Sequence, residues 1–214
     1  MRQVLCHLKS WHETCYIFMV KSGWAEKSIP WKRGEKKIAD NRNKRKNNEK
    51  FIPEFGKGED EEELRTLFCE HGMDLAGDIE EHLILRVKNQ IVAGGKIVEV
   101  GQALFFLEVL GVKRDQINQG WGGILLEQML RNPWQSSLSV ISWQSSHFRI
   151  GTLARGGSTG FYHHYGFLPC SFEEIPEPYQ EQCTVCPDQL ECRPVPMMMN
   201  WEEKSNEKSN CCLY

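Results

Sequence analysis

The alternation of apolar and polar residues between positions 51 and 112 predicts one helix followed by a three-stranded meander. Apolar residues within 61–73 share a helix face, and Gly72 provides a stop. Three later runs, 82–87, 91–100 and 103–112, are dense in apolar and β-branched residues and are separated by short turns. They predict three antiparallel strands.

The second half of this region predicts further helices and strands in alternation. Apolar residues recur at helical spacing after Gly120, and that helix must end before Pro133. Residues 147–153 predict a strand, 158–165 a short helix capped by Ser158, and 167–168 the start of a last strand. The polar stretch 136–146 is predicted to be irregular. The predicted fold class is α/β (α+β), with a mixed, mostly antiparallel central sheet flanked by helices.

Charge is unevenly distributed along the 214 residues. Residues 1–50 carry 13 basic and 5 acidic residues, a net charge of +8, so the overall −3 leaves −11 on the remainder. The run 31–50 is polar, basic and poor in apolar residues, so it is predicted to be a poorly ordered extension. An acidic body argues against nucleic acid as a partner, except at this extension, for which a solvated tail is the alternative reading.

These patterns divide the chain into a basic extension at 1–50, a folded domain at 51–175 and a Cys/Pro/Met-rich extension at 176–214. No apolar run reaches the roughly 18 residues that a membrane span requires. The first 20 residues are interrupted by His7, Lys9, His12 and Glu13 and make a poor signal peptide. A cytoplasmic protein without membrane contact is expected.

The C-terminal extension holds a cysteine cluster, in which Cys183, Cys186 and Cys192 form a C-x2-C-x5-C pattern. Such thiolates can share a soft metal such as zinc, but three ligands leave a tetrahedral site one short. Candidates for the fourth ligand are Cys170, His163, Cys211 and Cys212. Reduced structural thiols are the alternative reading, because the spacing lacks a double C-x2-C pattern.

A glycine-rich turn, GWGG at 120–123, stands between the strand at 103–112 and the helix that follows it. Such a turn brings backbone N–H groups close to a ligand, and the positive end of the helix dipole favours an anion such as a pyrophosphate. The alternative is that these glycines only form an ordinary turn between the strand and the helix.

Two segments together resemble the GNAT superfamily of N-acetyltransferases. Residues 120–126, GWGGILL, are similar to the G-x-G-x-x-L-L turn that grips the coenzyme A pyrophosphate in that family, and residues 161–167, FYHHYGF, to its F-Y-x-x-x-G-F signature. Val112 stands where the family ends its fourth strand. Ile117 departs from the pattern, because the family usually has Gln or Arg there; Gln116 and Gln119 are the neighbours available for that role.

The resemblance implies an enzyme that transfers an acetyl group from acetyl-CoA to an amine by direct attack on the thioester. It implies that the coenzyme lies against strand 103–112 and the glycine turn. The implied contact residues are Leu110, Gly111, Val112, Asn118, Gln119, Gly120, Trp121, Gly122 and Gly123.

Two side chains are candidates for catalysis. Tyr162 stands where the family places its general acid, and packing against the pantetheine arm is the alternative. Glu108 is the candidate base, acting directly or through water, because a carboxylate in an apolar strand needs a partner or a raised pKa. A structural ion pair with Arg155 or Lys96 is the alternative for Glu108.

The histidines beside Tyr162, His163 and His164, are expected to be exposed rather than catalytic. The acceptor is a small-molecule or peptide amine that the sequence does not identify, and a homodimer is an open alternative to a monomer. The competing function is a non-catalytic acyl-CoA-binding or metal-binding regulatory module that retains the fold.

Overall fold

The computed structural model describes residues 51–139 and 147–202. The predicted extension at 1–50 lies outside these residues, as do Cys211 and Cys212. The strands of the described part are β1 (Glu54–Phe55), β2 (Leu83–Val87), β3 (Gln90–Gly101), β4 (Leu104–Val112), β5 (His147–Ala154), β6 (Leu168–Pro169) and β7 (Val195–Glu202). Its α-helices are α1 (Glu61–Cys69), α2 (Trp121–Arg131), α3 (Pro133–Ser136), α4 (Thr159–His164), α5 (Tyr179–Val185) and α6 (Gln189–Cys192).

The strands form a single sheet in the order β1-β2-β3-β4-β5-β7-β6. Every neighbouring pair is antiparallel except β4 and β5, which run parallel. The meander predicted at 82–112 is confirmed as β2, β3 and β4, and Lys88 and Asn89 adopt positive φ in the tight turn between β2 and β3. The mixed, mostly antiparallel sheet expected from the sequence is therefore present.

The two halves of the sheet are joined over a short distance. Strands β4 and β5 pair only from Leu104↔Arg149 to Leu107↔Thr152. Beyond that point β4 continues along β3 as far as Ala93↔Val112, while β5 continues along β7 as far as Ala154↔Val195. The sheet consequently opens into a wedge after Leu107.

Helix α1 lies close to one face of the sheet because two glycines face it. Gly94 and Gly111 are directly opposed on β3 and β4. A Cβ at Gly94 would overlap the side chain of Leu64, and one at Gly111 would lie 2.9 Å from Leu67 and 3.0 Å from Phe68. This close approach sets the C-terminal end of α1 beside the end of β4.

The opposite face carries α2, α3 and α4 over the larger part of the core. Its fully buried side chains include Leu85, Ile97, Phe105, Leu107, Leu125, Leu126, Met129, Ile150 and Phe167. Helix α3 ends at Ser136, where the stretch that the sequence predicts to be irregular begins; Pro133 opens the helix and Asn132 accepts a hydrogen bond from the Gln135 N–H group. Ser158 precedes α4 as predicted, but its hydroxyl donates to the Arg155 carbonyl instead of capping the helix.

Strand β6 is not the last strand. Residues 195–202, within the predicted C-terminal extension, form β7, which lies between β5 and β6. The run Met197, Met198 and Met199 is buried in the sheet. Residues 170–194, called the inserted segment below, carry α5 and α6 and connect β6 to β7. The boundary at residue 175 stays a sequence prediction, but the sheet itself continues to Glu202.

Within the described residues, no helix combines the length and apolar character that crossing a membrane requires.

Candidate active site

The wedge between β4 and β5 is a cleft of about 450 Å³. Of the eleven residues predicted to act on the substrates, all but Gln119 line it. The cleft therefore gathers residues from β4, from the glycine turn and from α4. It also includes residues that the sequence reasoning did not select for the site, namely His71, Met73, Thr152, Leu153, Arg155, Gly157, Ser158 and Phe161.

The edge of β4 presents backbone groups to this cleft. The Lys113 N–H donates to the Val92 carbonyl at 2.9 Å, which makes them a hydrogen-bonded pair. Because such pairs alternate along an antiparallel ladder, Gly111 also faces β3, while Leu110 and Val112 turn their N–H and C=O groups away from it. Strand β5 has diverged at this level, so Leu110 directs an N–H donor and a C=O acceptor into the cleft.

His71 and Arg155 connect the two sides of the wedge. The His71 Nε2 lies 2.6 Å from the Val112 carbonyl oxygen, which can only accept, so Nε2 carries the proton. Arg155, just after β5, donates through Nη1 to the His71 carbonyl at 2.7 Å. Arg155 makes no ion pair with any described carboxylate, so the sheet-edge pair with Glu108 that the sequence left open is not formed. Neither contact has a signature in the sequence, because the residues are 41 and 84 positions apart.

The glycine turn places the start of α2 at the same cleft. Gly120 precedes the helix with φ of +83° and Asn118 has φ of +64°, so the chain turns through left-handed conformations there. The Ile124 N–H bonds to the Gly120 carbonyl at 3.2 Å, so it is the first helical N–H with an intrahelical acceptor, and the N–H groups of Gly122 and Gly123 precede it in the first turn. These donors and the helix dipole make the turn a site suited to an anion.

Gly122 keeps the cleft open beside this turn. A Cβ at that position would lie 3.1 Å from Val112 Cγ2 and 3.7 Å from the ring of Phe161. A larger side chain would fill the space between β4 and α4. Ile117 stands where the GNAT superfamily usually has Gln or Arg. Its side chain is 45% exposed and gives the cleft an apolar lining there.

Tyr162 lies at the point where the strands separate. Its side chain is buried, and nearby Thr152 donates its hydroxyl to the Leu107 carbonyl at 3.1 Å. Burial raises the pKa of Tyr162 to about 12. The phenol is therefore protonated throughout the neutral range. His163 and His164, its neighbours on α4, do not line the cleft.

Glu108 occupies a β-bulge in β4. Lys96 pairs with Val109 and the next residue, Ile97, pairs with Leu107, so Glu108 is the extra residue. Its Oε2 lies 3.0 Å from Lys96 Nζ, and its Oε1 accepts a hydrogen bond from the Tyr179 hydroxyl. The ion pair with Lys96, an alternative in the sequence reading, is present, while 16% of the Glu108 side chain remains exposed at the cleft.

Lys96 is held in turn by several groups. Its Nζ lies 2.8 Å from Glu81 Oε2 and 2.8 Å from the Ala76 carbonyl, in addition to Glu108. Burial alone would lower the pKa of the Lys96 ammonium, but its bonds to Glu81 and Glu108 outweigh burial and raise that pKa. The ammonium is charged at neutral pH and is held by two carboxylates and one backbone carbonyl.

The zinc site considered for Cys183, Cys186 and Cys192 is not supported. Among residues 51–139 and 147–202, no three His, Cys, Asp or Glu side chains are grouped so as to hold a metal ion. Cys183 lies on α5, Cys192 on α6 and Cys186 is exposed between them, each as a free thiol. A spacing that suits shared ligation does not by itself make the sulfur atoms converge.

Known structures provide an independent comparison for the fold. Neither protein-family profiles nor curated protein sequences gave a match. N-acetylglutamate synthase from Neisseria gonorrhoeae, solved with coenzyme A and N-acetyl-glutamate, superposes with a TM-score of 0.56 at 15% identity, over 73% of this chain and 36% of the synthase. The chain has the GNAT fold. It thus corresponds to about a third of that synthase.

Two further GNAT-fold structures match over nearly their whole length. Ard1 from Thermoplasma volcanium has a TM-score of 0.52 at 11% identity, over 72% of this chain and 99% of Ard1. An acetyltransferase of the GNAT family from Staphylococcus aureus Mu50 has a TM-score of 0.50 at 14% identity, over 71% and 99% of the two chains. At this level of sequence identity, the three likenesses establish the fold alone.

Proposed function

We propose that this chain is an N-acetyltransferase that moves an acetyl group from acetyl-CoA to the amine of a small molecule or peptide. One observation supports the proposal most directly. The unpaired edge of β4 at Leu110 and the N-terminus of α2 at residues 121–123 open into the same cleft. The GNAT fold and the coenzyme A bound to the gonococcal synthase agree with this proposal.

The residues present fit acetyl-CoA. The N–H groups of Gly122 and Gly123 suit its pyrophosphate, and the backbone of Leu110 suits polar groups of its extended pantetheine arm. Gly122 leaves room that a side chain would fill. The Val112 carbonyl is already engaged by His71, so a ligand group that pairs with Val112 must displace that imidazole.

In the proposed reaction the neutral acceptor nitrogen attacks the thioester carbon, forming a C–N bond as the C–S bond breaks. The Leu110 N–H is the donor placed to stabilise negative charge on the thioester oxygen. Tyr162 donates its proton to the departing thiolate, which a phenol with a pKa of about 12 still holds at neutral pH. The proton lost by the amine balances the one that Tyr162 gives up.

We assign Glu108 to the proton that the amine must lose. Lys96 pairs with the buried Oε2 and Tyr179 donates to Oε1, so both oxygens of Glu108 are already engaged when the amine arrives. Transfer through a water molecule that reaches Oε1 fits this geometry better than direct contact with the amine. The negative charge also favours binding of an ammonium group before it is deprotonated.

The same engagement of Glu108 favours the second candidate function, a non-catalytic acyl-CoA-binding module. Both carboxylate oxygens already have partners, as expected for a structural ion pair. A wild-type chain that binds acetyl-CoA but acetylates none of a panel of amines would support the module. Transfer that Glu108→Gln lowers by tenfold or more would support the enzyme.

Calorimetry of acetyl-CoA binding is the decisive first experiment. The wild-type chain is expected to bind, and Gly120→Ala to bind about tenfold more weakly, because alanine is strained at φ of +83° and displaces the turn. Gly58→Ala is the matched control, since a Cβ at Gly58 meets no atom within 4 Å. If the wild-type chain does not bind acetyl-CoA, the enzyme and the module are both excluded.

A further inference from the structure

One side chain of the inserted segment, Tyr179, contacts Glu108, the carboxylate that lines the cleft. Tyr179 begins α5, and its ring stacks on Phe106 of β4 with centroids 3.8 Å apart and planes inclined by 15°. The side chain is 8% exposed, and its hydroxyl donates to Glu108 Oε1. The stack fixes the ring, and the ring fixes the direction from which the hydroxyl reaches Glu108.

The second partner of Glu108 is itself held in place. The Lys96 ammonium lies 3.0 Å from Glu108 Oε2 and 2.8 Å from Glu81 Oε2, and it donates to the Ala76 carbonyl at 2.8 Å. Oε2 is buried and accepts no hydrogen bond from the described residues, so the ion pair alone leaves the carboxylate able to rotate about its side-chain torsions. The Tyr179 hydroxyl on Oε1 restricts that rotation.

The position of Glu108 in β4 brings three parts of the chain together. Glu108 is the unpaired extra residue of the bulge, and it contacts Lys96 of β3 and Tyr179 of the inserted segment while it still lines the cleft. Strands β3 and β4 and the inserted segment therefore meet at one carboxylate beside the edge of Leu110.

We propose that Tyr179 is a positioning residue for Glu108 in acetyl transfer, and that the inserted segment thereby forms part of the acceptor side of the cleft. This inference rests on the proposed N-acetyltransferase function. The phenol acts as a donor to Glu108 Oε1 and leaves the remaining lone pairs of that oxygen for the acceptor ammonium or its water. Burial and then the neighbouring Glu108 charge raise the pKa of Tyr179, which keeps the donor proton in place.

Removing only the hydroxyl separates positioning from packing. Tyr179→Phe keeps the ring that stacks on Phe106 and loses the bond to Glu108. A purely structural hydroxyl would affect stability but leave the kinetic constants unchanged. A positioning hydroxyl affects the acceptor, because a mobile carboxylate holds the amine less well and orients it less often.

The test uses full-length chains and measures thiol release with acetyl-CoA and four amine acceptors: spermidine, L-lysine, tyramine and a short peptide with a free N-terminus. Tyr179→Phe is expected to lower kcat/KM for the best acceptor by about 10- to 100-fold, as for other misplaced catalytic groups. The KM and the calorimetric Kd for acetyl-CoA are expected to stay within about twofold, because the glycine turn is untouched.

Gln180→Met is the matched control. It removes a 2.6 Å hydrogen bond from the same helix, between Gln180 Nε2 and the Ile175 carbonyl, without touching Glu108. It is expected to leave kcat/KM for the acceptor unchanged. Tyr179→Ala, which also loses the stack, reports the packing contribution through its thermal unfolding.

Two results overturn the role by different routes. If the wild-type chain and Tyr179→Phe are equally active while Tyr179→Ala is destabilised, Tyr179 only packs and the proposal is wrong. If the wild-type chain fails to bind acetyl-CoA or acetylates none of the four amines, the proposed function is wrong, and the positioning role of Tyr179 is wrong as well. A loss in kcat/KM confined to Tyr179→Phe supports the role.

Discussion

Tyr162 combines burial with the general-acid role proposed for it. Its side chain lies at the point where β4 and β5 separate. Burial favours the neutral phenol, so the proposed acid carries its proton at neutral pH. The same burial links the ionisation of Tyr162 to the stability of the fold.

Alkaline unfolding measures that link. The pKa of Tyr162 is raised from 10.0 to about 12 in the fold, so its stabilising contribution is complete below about pH 10 and is lost as pH rises toward 12. The free energy of unfolding is expected to fall by about 2 kcal/mol more in the wild-type chain than in Tyr162→Phe between pH 9 and pH 11.5. Urea titrations at the two pH values give this difference. Equal losses in both chains contradict the burial of the phenol.

Activity provides a second prediction at the same residue. Tyr162→Phe is expected to lower kcat by about 10²- to 10⁴-fold, the usual contribution of a general acid, with binding of acetyl-CoA retained. Steady-state kinetics with calorimetry on the same sample separates the two quantities. An unchanged kcat would assign Tyr162 to packing.

The sequence could identify Glu108 and Tyr162, because a carboxylate in an apolar strand and an FYxxxGF segment are visible in a single chain. It could not identify Tyr179 or His71. Their importance depends on contacts across 71 and 41 residues, which local patterns do not encode. The β-bulge at Glu108 was equally hidden, because the alternation of residues along β4 carries no signal for one extra residue.

At the scale of elements, the position of α1 determines the position of His71. The helix packs on Gly94 and Gly111 through Leu64, Leu67 and Phe68, and this contact brings its C-terminal turn to the Val112 carbonyl. A displacement of α1 would therefore be felt at the edge of the cleft.

Alanine at Gly94 tests this dependence. The added Cβ overlaps Leu64, so Gly94→Ala is expected to destabilise the fold by about 1–3 kcal/mol. Gly160→Ala is the control, because a Cβ at Gly160 meets nothing within 4 Å and alanine in helix α4 is expected to add about 0.5–1 kcal/mol. Chemical denaturation of both variants gives the comparison. Equal stability in the two would contradict the close packing of α1.

Helices α1 and α2 and strands β2 to β5 could be predicted within a few residues, because their apolar periodicity is strong and their ends carry glycine or proline. The inserted segment and β7 could not. The polar and cysteine-rich composition of 170–194 hides α5 and α6, and the prolines at 194 and 196 argue against a strand in the interior of a sheet.

For the whole molecule, β7 is the strand that holds the β5 side of the wedge. It pairs with β5 over eight residues, from His147↔Glu202 to Ala154↔Val195, and then receives β6 on its other edge. Without it, β5 keeps only its four-residue pairing with β4, and β6 has no partner.

Truncation is expected to reveal this role. A chain ending at residue 194 should lose cooperative unfolding, because β5 and β6 lose their shared neighbour. A chain ending at residue 202 keeps every contact described for the sheet and is expected to unfold as the full chain does. Circular dichroism during thermal unfolding distinguishes the two. Cooperative unfolding of the shorter chain would mean that β7 is dispensable.

The place of β7 also determines when the protein can finish folding during its synthesis. Strands β1 to β4 pair in chain order and can assemble as they leave the ribosome. Strand β5 can pair with β4 at that stage, but its second neighbour, β7, is synthesised only after residue 194. During that interval β5 exposes one hydrogen-bonding edge, and the buried residues Phe148 and Ile150 lack the neighbours that β7 brings. The nascent chain is consequently most vulnerable to aggregation and proteolysis just before its last described strand emerges.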